Sequence, residues 1–391
     1  MNTNNVYDFD EIIDRRKSNS YKWDIEKDEI PMWVADMDFK TAPSVIEAVM
    51  KRAMTGEYGY NIVPDEWYDS YIKWWKKRHN FEIKKEWLIF CTGVLPAITS
   101  CVQRITNHGD NVLCQTPVYD MFFHSIENTG RHVLESPLIF NGTEYEVDYE
   151  DLEHKLSNPL TTAMILCNPH NPTGKIWTKS ELEKVGQLCA RYNVTVISDE
   201  IHCDLTDIGY EYIPFASVNE TCANISITCI SASKAFNIAG LATAAVVIPS
   251  KGLKDKVERG LNTDEVAEPN TFAVQAVVAA FNDGEEWLDQ LRRYIEENKK
   301  MVYEYIEQNI PVLHVRKSNA TYLIWIDCGD ICNDSDKLSD YLRKEHKVYF
   351  SSGSHYRGEG SSFLRMNVAC PKSQISEALL RLQKGIERFN N

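Results

Sequence analysis

The chain has 391 residues, of which 42 are lysine or arginine and 57 are aspartate or glutamate, giving a net charge of −15 at pH 7. This charge argues against a nucleic-acid partner and against an anionic membrane surface, but it is compatible with a small ligand in a locally positive pocket. The length exceeds the size at which a single hydrophobic core usually stops growing, so two domains are predicted.

The eleven cysteines indicate a reducing environment rather than a disulfide framework. Their number is odd, they are scattered without a Cys-x-x-Cys pair, and several lie inside apolar runs such as Ile165–Cys167. Free cysteines commonly behave as small buried apolar residues. The N-terminal segment has no apolar signal region, and no stretch approaches the roughly 18 apolar residues that span a bilayer. We therefore expect a cytoplasmic protein with no membrane partner.

Between about residues 85 and 250, short apolar runs alternate with amphipathic stretches. One amphipathic stretch, Lys179–Tyr192, carries its apolar residues on a single helical face. The alternation predicts a mostly parallel sheet covered by helices on both faces. The six predicted strands are Trp87–Cys91, Asn111–Gln115, Ala163–Cys167, Thr195–Ser198, Ile225–Ile230 and Ala242–Ile248.

Helical patterns dominate residues 264–308, and a second, smaller set of elements follows. It comprises the predicted strands His314–Val315, Thr321–Ile326 and Phe363–Val368 and a final helix Lys372–Phe389. We therefore predict an α/β fold with a large domain at residues 46–280. The smaller α/β domain is predicted to combine residues 1–45 with residues 281–391.

Polar side chains follow several of the predicted strands. In open α/β sheets, ligands bind beyond the carboxyl ends of the strands. After Trp87–Cys91 comes Thr92-Gly93-Val94-Leu95-Pro96, in which Pro96 is predicted to be the first residue of a helix whose free N–H groups suit an anion. The polar side chains that follow the other strands are an amide, a carboxylate, an imidazole, two hydroxyls and a lysine: Asn171, Asp199, His202, Ser231, Ser233 and Lys234.

Pyridoxal 5′-phosphate (PLP) requires such a set of groups. Its aldehyde bonds to a lysine, its pyridinium nitrogen needs a carboxylate, and its phosphate binds hydroxyls and helix N–H groups. Lys234 is the only charged residue between Asn224 and Val246, which an ordinary strand end does not explain. The inference assumes that the strands are neighbours in the sheet. Taken singly, Lys234 could be a solvated strand end and Asp199 a charge at a helix N-terminus.

Two further sequence patterns are not interpreted as functional sites. His202-Cys203-Asp204 has the residue types of a metal site, but adjacent residues do not easily converge on one ion, so no metal is predicted. Gly358-Glu359-Gly360 neither follows a strand nor opens a helix, as a dinucleotide-binding motif would, and is interpreted as a loop.

Seven segments carry a resemblance that covers nearly the whole chain. They are Met32–Phe39 (MWVADMDF), Tyr58-Gly59-Tyr60, Thr116–Tyr119 (TPVY), Asn168–Lys175 (NPHNPTGK), Ser198–Asp204 (SDEIHCD), Ser231–Leu241 (SASKAFNIAGL) and Phe363–Pro371 (FLRMNVACP). The sequence resembles the fold type I PLP-dependent enzymes of the aspartate aminotransferase superfamily. Within them it is similar to the C–S lyase subgroup, which is cystathionine β-lyase-like.

The resemblance implies a role for each matching residue. Lys234 corresponds to the lysine that bonds to the cofactor, Asp199 to the pyridinium partner and Asn171 to the donor to the cofactor's O3′ oxygen. His202 stands near O3′, and Tyr119 corresponds to the aromatic residue that stacks on the pyridine ring. The residues that match the phosphate-binding positions are Gly93, Val94, Leu95, Ser231 and Ser233.

Tyr60 resembles the tyrosine that reaches the cofactor of a neighbouring subunit. This implies a homodimer with active sites at the subunit interface. Many aminotransferases of the superfamily carry a phosphate-binding arginine eight residues after the lysine, where this chain has Ala242. In lacking this arginine, the chain resembles the lyase subgroup.

Arg365 lies in an otherwise apolar run, and its planar guanidinium matches a carboxylate in a bidentate pair. We expect it to hold the α-carboxylate of an amino-acid substrate, the alternative being a structural ion pair. Ala35 and Trp33 are expected to line the substrate side. Leaving-group preference is expected to depend on Tyr119, Asp120, Tyr322 and residues 353–362.

The predicted activity is α,β-elimination of L-cystathionine or a related cysteine S-conjugate to a thiol, pyruvate and ammonia, with Lys234, Tyr60 and Tyr119 as catalytic residues. One alternative is a PLP-dependent aminotransferase of aromatic or sulfur amino acids. The other is a PLP-binding regulatory protein with a secondary lyase activity.

Overall fold

The computed structural model describes residues 7–389. Its β-strands are β1 (Ile30–Pro31), β2 (Leu88–Cys91), β3 (Asn111–Cys114), β4 (His132–Glu135), β5 (Leu138–Phe140), β6 (Tyr145–Val147), β7 (Thr161–Cys167), β8 (Thr195–Asp199), β9 (Ser226–Ile230), β10 (Ala244–Val247), β11 (His314–Arg316), β12 (Leu323–Asp327), β13 (Val348–Tyr349), β14 (Ser351–Ser352) and β15 (Phe363–Asn367).

The α-helices alternate with these strands along much of the chain. They are α1 (Pro43–Ala53), α2 (Asp65–His79), α3 (Val94–Ile105), α4 (Met121–Glu127), α5 (Tyr149–Leu156), α6 (Lys179–Arg191), α7 (Glu220–Ile225), α8 (Lys251–Thr263), α9 (Ala273–Asp283), α10 (Glu285–Asn309), α11 (Ser335–His346) and α12 (Lys372–Phe389). Within residues 7–389, no helix is long and apolar enough to cross a membrane.

The largest sheet has seven strands in the order β2-β10-β9-β8-β7-β3-β4. Only β10 is antiparallel to its neighbours, so the other six strands share one direction. Asp199, the last residue of β8, pairs in register with Cys167 on β7 and Cys229 on β9. The assumption that the strands are neighbours holds for β7, β8 and β9, whose carboxyl ends meet at one edge of the sheet, whereas β10 separates β2 from β9.

Apolar side chains pack on both faces of this sheet. Ile197 of β8 joins the cluster that includes Ile98 of α3, whereas Val196 joins the cluster that includes Val185 of α6. Successive residues of a strand point to opposite faces, which explains why the buried strands are apolar almost throughout. The predicted α/β class, with a mostly parallel sheet covered by helices, is confirmed.

A second sheet has the antiparallel order β11-β12-β15-β14. The N-terminal strand β1 pairs in parallel with β13, so residues near both ends of the chain meet. Both observations agree with a small α/β unit that draws on the two ends of the sequence. The bounds 46–280 and 1–45 with 281–391 stay a prediction, and residues 1–6 and 390–391 lie outside the described part.

All six strands predicted between residues 85 and 250 are present, with ends shifted by at most two residues. Three expectations were wrong or incomplete. The helix at the end of β2 begins at Val94 rather than Pro96, residues 264–272 are not helical, and β4, β5 and β6 were not predicted. β4 reads HVLE, and only part of its surface is buried because it forms the sheet edge.

The segment of residues 33–39 is held by the side chains of two asparagines, the buried Asn367 and the half-buried Asn237. Asn367 donates through Nδ2 to the carbonyls of Val34 at 2.5 Å and Asp36 at 2.8 Å. Asn237 donates to the carbonyls of Met37 at 3.2 Å and of Phe39 at 2.8 Å. Because this segment has no strand partner of its own there, these amides satisfy its backbone. They hold the segment whose Ala35 carbonyl accepts from Lys234 and whose Trp33 carbonyl accepts from Arg365.

Candidate active site

A cavity of about 300 Å³ lies at the carboxyl edge of the seven-stranded sheet. Its walls come from the ends of β2, β7, β8 and β9 and from the segment around Ala35. Ten of the predicted site residues line it: Ala35, Gly93, Val94, Leu95, Tyr119, Asn171, Asp199, His202, Ser233 and Lys234. The fold thus brings Ala35 and Lys234, which are 199 residues apart in the chain, to one cavity.

Lys234 opens onto this cavity from buried surroundings. Its Nζ donates a hydrogen bond of 2.6 Å to the carbonyl of Ala35. Burial lowers the pKa of Lys234 to about 8, and the charge of Arg365 acts in the same direction against the carboxylates of Asp36 and Asp199. A lysine of this kind loses its proton near neutral pH, as a nucleophile or base must.

Asp199 is a buried carboxylate without a cationic partner. Its side chain accepts a 3.1 Å hydrogen bond from the backbone N–H of Ile201, and no ion pair to it exists among residues 7–389. Burial raises the pKa of Asp199 to about 7, against the lowering effects of that N–H and of Lys234. A cation placed beside it would reverse this shift.

Arg365 connects Asn171 with the segment that contains Trp33. Its side chain is 4% exposed, and Nη1 donates to Asn171 Oδ1 at 3.1 Å. Nη2 donates to the Trp33 carbonyl at 2.7 Å and to Ser351 Oγ at 3.3 Å. The Nε–H is buried without a partner. In residues 7–389 no carboxylate pairs with this guanidinium, which argues against the alternative of a structural ion pair.

His202 and Tyr119 face the cavity without side-chain hydrogen bonds. Nδ1 of His202 is buried and unpartnered. Burial, together with the charges of Lys234 and Arg365, lowers the pKa of His202 to about 3, so the imidazole is neutral. Burial raises the pKa of Tyr119, so its phenol keeps its proton at neutral pH. Both are available as neutral groups to a bound molecule.

Backbone N–H groups and hydroxyls collect at one end of the cavity. Gly93 precedes α3, and Val94 and Leu95 open this helix, whose first N–H groups have no partner within the helix. Thr92 and Thr243 also line this end. Sequence reasoning missed Thr243. Its only signal is its position three residues after Gly240, directly before β10.

The hydroxyl of Ser231, predicted to bind a phosphate, is hydrogen-bonded within the protein. Its hydroxyl donates to the carbonyl of Thr243 at 2.6 Å and accepts from the N–H of Ser233 at 3.0 Å. The side chain is buried in the turn that carries Lys234, and Ser231 does not line the cavity. The Ser231 hydroxyl therefore stabilises the turn, and its role at a phosphate stays a prediction.

Tyr60 lies apart from the other predicted site residues. Its side chain is fully exposed, and it lines neither cavity of this subunit. Trp33, by contrast, lines a second cavity of about 310 Å³ that shares Ala35, Tyr119 and Lys234 with the first.

The potential metal ligands that meet in the structure differ from those adjacent in the sequence. His79 joins Cys203 and Asp204, and the potential ligand atoms lie within 4.8 Å of one another, while His202 faces the cavity instead. Asp204 accepts from Trp74 Nε1 at 3.0 Å and lies 2.9 Å from His79 Nε2. These donors already satisfy the carboxylate, so the group is a hydrogen-bonded network of the core.

Comparison with known proteins places the chain in a family. A family model described as aminotransferase class I and II matches residues 27–382, so the chain belongs to this family. It is 38% identical over 384 residues to cystathionine beta-lyase PatB of Bacillus subtilis (strain 168), covering 97% of this chain and 99% of that protein.

Two solved structures are similar over nearly the whole chain. One is a PLP-bound protein from Clostridium difficile 630, provisionally assigned as an aminotransferase, with 39% identity and a TM-score of 0.94 over 97% of this chain and all of that one. The other is the PLP-bound C–S lyase from Staphylococcus hominis, with 32% identity and a TM-score of 0.92 over 98% of this chain and 99% of that one.

Proposed function

We propose that this protein is a PLP-dependent C–S lyase. The reaction is α,β-elimination of L-cystathionine or a related cysteine S-conjugate to a thiol, pyruvate and ammonia. The observation that carries the proposal is the pairing, in one cavity, of a deprotonatable lysine, Lys234, with an unpaired buried carboxylate, Asp199. The names of PatB and of the Staphylococcus hominis enzyme support the lyase activity.

The donor set of the cavity fits PLP. The unpaired carboxylate of Asp199 requires a cation, which a pyridinium nitrogen supplies. The buried, unpartnered Nδ1 of His202 is a polar atom that a bound molecule would satisfy. The N-terminus of α3 suits a phosphate. Lys234 would hold the cofactor covalently, and Asn171 and His202 would lie at its O3′ oxygen.

The chemistry supplied by bound PLP is the withdrawal of electrons from the substrate Cα. Arg365 binds the substrate α-carboxylate with the N–H groups that remain free, beginning with Nε. Lys234, near its pKa at neutral pH, takes the proton from Cα and can return one to a departing group. The carboxylate of Asp199 would pair with the positively charged ring nitrogen of PLP. Tyr119 covers one wall and excludes water.

Ala242 favours a lyase over an aminotransferase. It lines the cavity at the position where many aminotransferases of the resembled superfamily carry an arginine. Among residues 7–389, Lys234 is the only lysine or arginine that lines the 300 Å³ cavity. The phosphate then depends on helix N–H groups and hydroxyls.

Product analysis tests the activity. Purified holoenzyme is incubated with L-cystathionine without a keto acid, and pyruvate and free thiol are measured. Stoichiometric release of both is expected. If neither forms, and addition of 2-oxoglutarate instead gives glutamate, the protein is an aminotransferase and the lyase proposal fails.

We further propose a cytoplasmic homodimer in which Tyr60 completes the site of the partner subunit. Tyr60 is fully exposed, and its neighbours Met54 and Ile62 are more than four-fifths exposed, which is unusual for apolar side chains in a monomer. A cytoplasmic location is supported by the cysteines, because all eleven are free and ten of them are buried.

Subunit mixing tests the shared site. Tyr60→Ala and Lys234→Ala homodimers should each be nearly inactive. Co-expression should restore about a quarter of the wild-type activity, because half of the dimers are mixed and each mixed dimer contains one complete site. Absence of any recovery in isolated mixed dimers would refute the shared site, and light scattering gives the oligomeric state directly.

A further inference from the structure

The second cavity, of about 310 Å³, extends from the Lys234 side of the site towards solvent. Its inner end is formed by Lys234 and by Arg365, whose unpartnered Nε is buried there. If Arg365 holds the α-carboxylate and Lys234 lies at Cα, the cavity is the space available to the group bonded to the substrate's sulfur. The inference therefore rests on the proposed lyase function.

One wall of this cavity is aromatic. The rings of Trp33 and Tyr349 stack with centroids 4.7 Å apart and an interplanar angle of 26°. Tyr21 extends the wall, with its ring centroid 5.1 Å from that of Trp33. Such faces accept either an alkyl chain or a cation.

The cavity is also lined by acidic residues. Asp336 and Asp340 lie one turn apart on α11, and both line the cavity, as does Asp120. Asp336 is fixed by a 2.7 Å hydrogen bond from Ser354 Oγ. Partial burial raises the pKa of Asp336. The opposite effect of hydrogen bonds from serines 352 and 354 and of the charge of His355 is larger, so the pKa of Asp336 lies below its usual value.

Few positive charges offset these carboxylates. Apart from Lys234 and Arg365, no lysine or arginine among residues 7–389 lines the cavity. Arg343 lies over the Tyr349 ring but is engaged by Glu29, at 3.0 Å and 3.2 Å. The remaining neighbours are His355, 3.8 Å from Asp336, and the exposed Lys344, 4.0 Å from Asp340.

We propose that Asp336 and Asp340 make this cavity selective for S-conjugates whose leaving thiol carries an ammonium group. In the elimination the Cβ–S bond breaks, the sulfur leaves with the electron pair as a thiolate, and Lys234 takes the Cα proton. The ammonium group does not react. It contributes by its attraction to the two carboxylates while the aromatic wall packs against the methylene groups.

The expected selectivity is modest because the two carboxylates are exposed to solvent. The side chains of Asp336 and Asp340 are 60% and 71% exposed, so water and salt screen their charges. We expect about a fivefold preference at low ionic strength, and a smaller one in 0.5 M salt.

The test compares two substrates of nearly equal size, S-(2-aminoethyl)-L-cysteine and S-propyl-L-cysteine, in which an ammonium replaces a methyl group. kcat/KM for pyruvate release is measured with holoenzyme at low and high salt. The variants are Asp336→Asn, Asp340→Asn, the double variant, and Glu345→Gln as control. Glu345 is an exposed acid on the same helix that does not line the cavity.

The wild type and Glu345→Gln should prefer the aminoethyl compound about fivefold, and the double variant should lose this preference while its kcat/KM for the propyl compound is unchanged. Equal rates for both compounds in the wild type, or a preference unaffected by the double variant, would overturn the proposal. If no compound gives pyruvate, the lyase function fails separately. In that case the selectivity is measured as the ratio of the calorimetric Kd values of the two compounds for the Lys234→Ala variant. Equal Kd values would overturn the selectivity proposal.

Discussion

Arg365 Nη1 donates a 3.1 Å hydrogen bond to Asn171 Oδ1, across 194 residues of sequence. The bond orients the Asn171 amide, because its oxygen faces Arg365 and its NH₂ group is left to face the cavity. It connects the residue proposed to hold the substrate carboxylate with the residue proposed to hold the cofactor oxygen. A change in either side chain is therefore expected to affect both binding events.

Arg365→Lys should raise KM for L-cystathionine about 100-fold with a smaller fall in kcat, because an ammonium cannot make the planar bidentate pair. The hydrogen bond to Asn171 is lost as well, so the dissociation constant of PLP should also rise. Steady-state kinetics and cofactor titration measure the two effects. Arg191→Lys, an exposed surface change, is the control, and a variant with unchanged KM would contradict the role of Arg365.

Lys234→Ala should lower the rate of pyruvate release by about 100-fold to 10,000-fold, because the variant lacks the group that moves the Cα proton. The visible absorption of the purified protein should change at the same time, since the covalent link to PLP is lost. The matched control is Lys251→Ala, which removes a lysine with an 87% exposed side chain. An unchanged spectrum in Lys234→Ala would show that another residue binds the cofactor.

Asp199 should make the cofactor-free protein less stable as the pH rises. Its native pKa is about 7 and its unperturbed value is 3.8, so between these pH values the native state binds more protons than the unfolded state. Stability therefore falls across this window and stays low above it. The cofactor-free Asp199→Asn variant should be more stable than the wild type at pH 8, by on the order of 3 kcal/mol, and nearly equal to it at pH 4.

Thermal unfolding after removal of PLP with hydroxylamine measures this difference, with the exposed Asp255→Asn as control. A variant that is no more stable than the wild type at pH 8 would mean that Asp199 has a partner in the cofactor-free state. In holoenzyme the order should reverse, because the bound cation stabilises the carboxylate.

Asn367→Ala should loosen the segment of residues 33–39. The Asn367 side chain is fully buried and donates to two carbonyls that would be left unsatisfied, at a cost of about 2–4 kcal/mol. KM should rise because Trp33 and Ala35 no longer hold Arg365 and Lys234. Calorimetry and kinetics test this, with the exposed Asn309→Ala as control. A loss of stability without a change in KM would limit Asn367 to a structural role.

Much of the site could be predicted because its residues directly follow strands. Asn171, Asp199 and Lys234 come after apolar runs whose length and pattern predict buried parallel strands, and the carboxyl ends of such strands share an edge. The residue types then indicate the cofactor. Ser231 shows the limit of this reasoning. It follows a strand as Lys234 does, but its hydroxyl donates to the carbonyl of Thr243, and Ser231 does not line the cavity.

The sequence by itself determined the fold class, the order of the main elements and the chemistry of the strand ends, because hydrophobic period and strand-end residues are local properties. Only the tertiary structure decided which distant groups meet. It brought Arg365 to Asn171, the Ala35 carbonyl to Lys234, and Asp336 with Asp340 to the substrate side of the cavity. Such contacts depend on the packing angles of whole elements and on buried asparagines such as Asn367, and no local pattern encodes them.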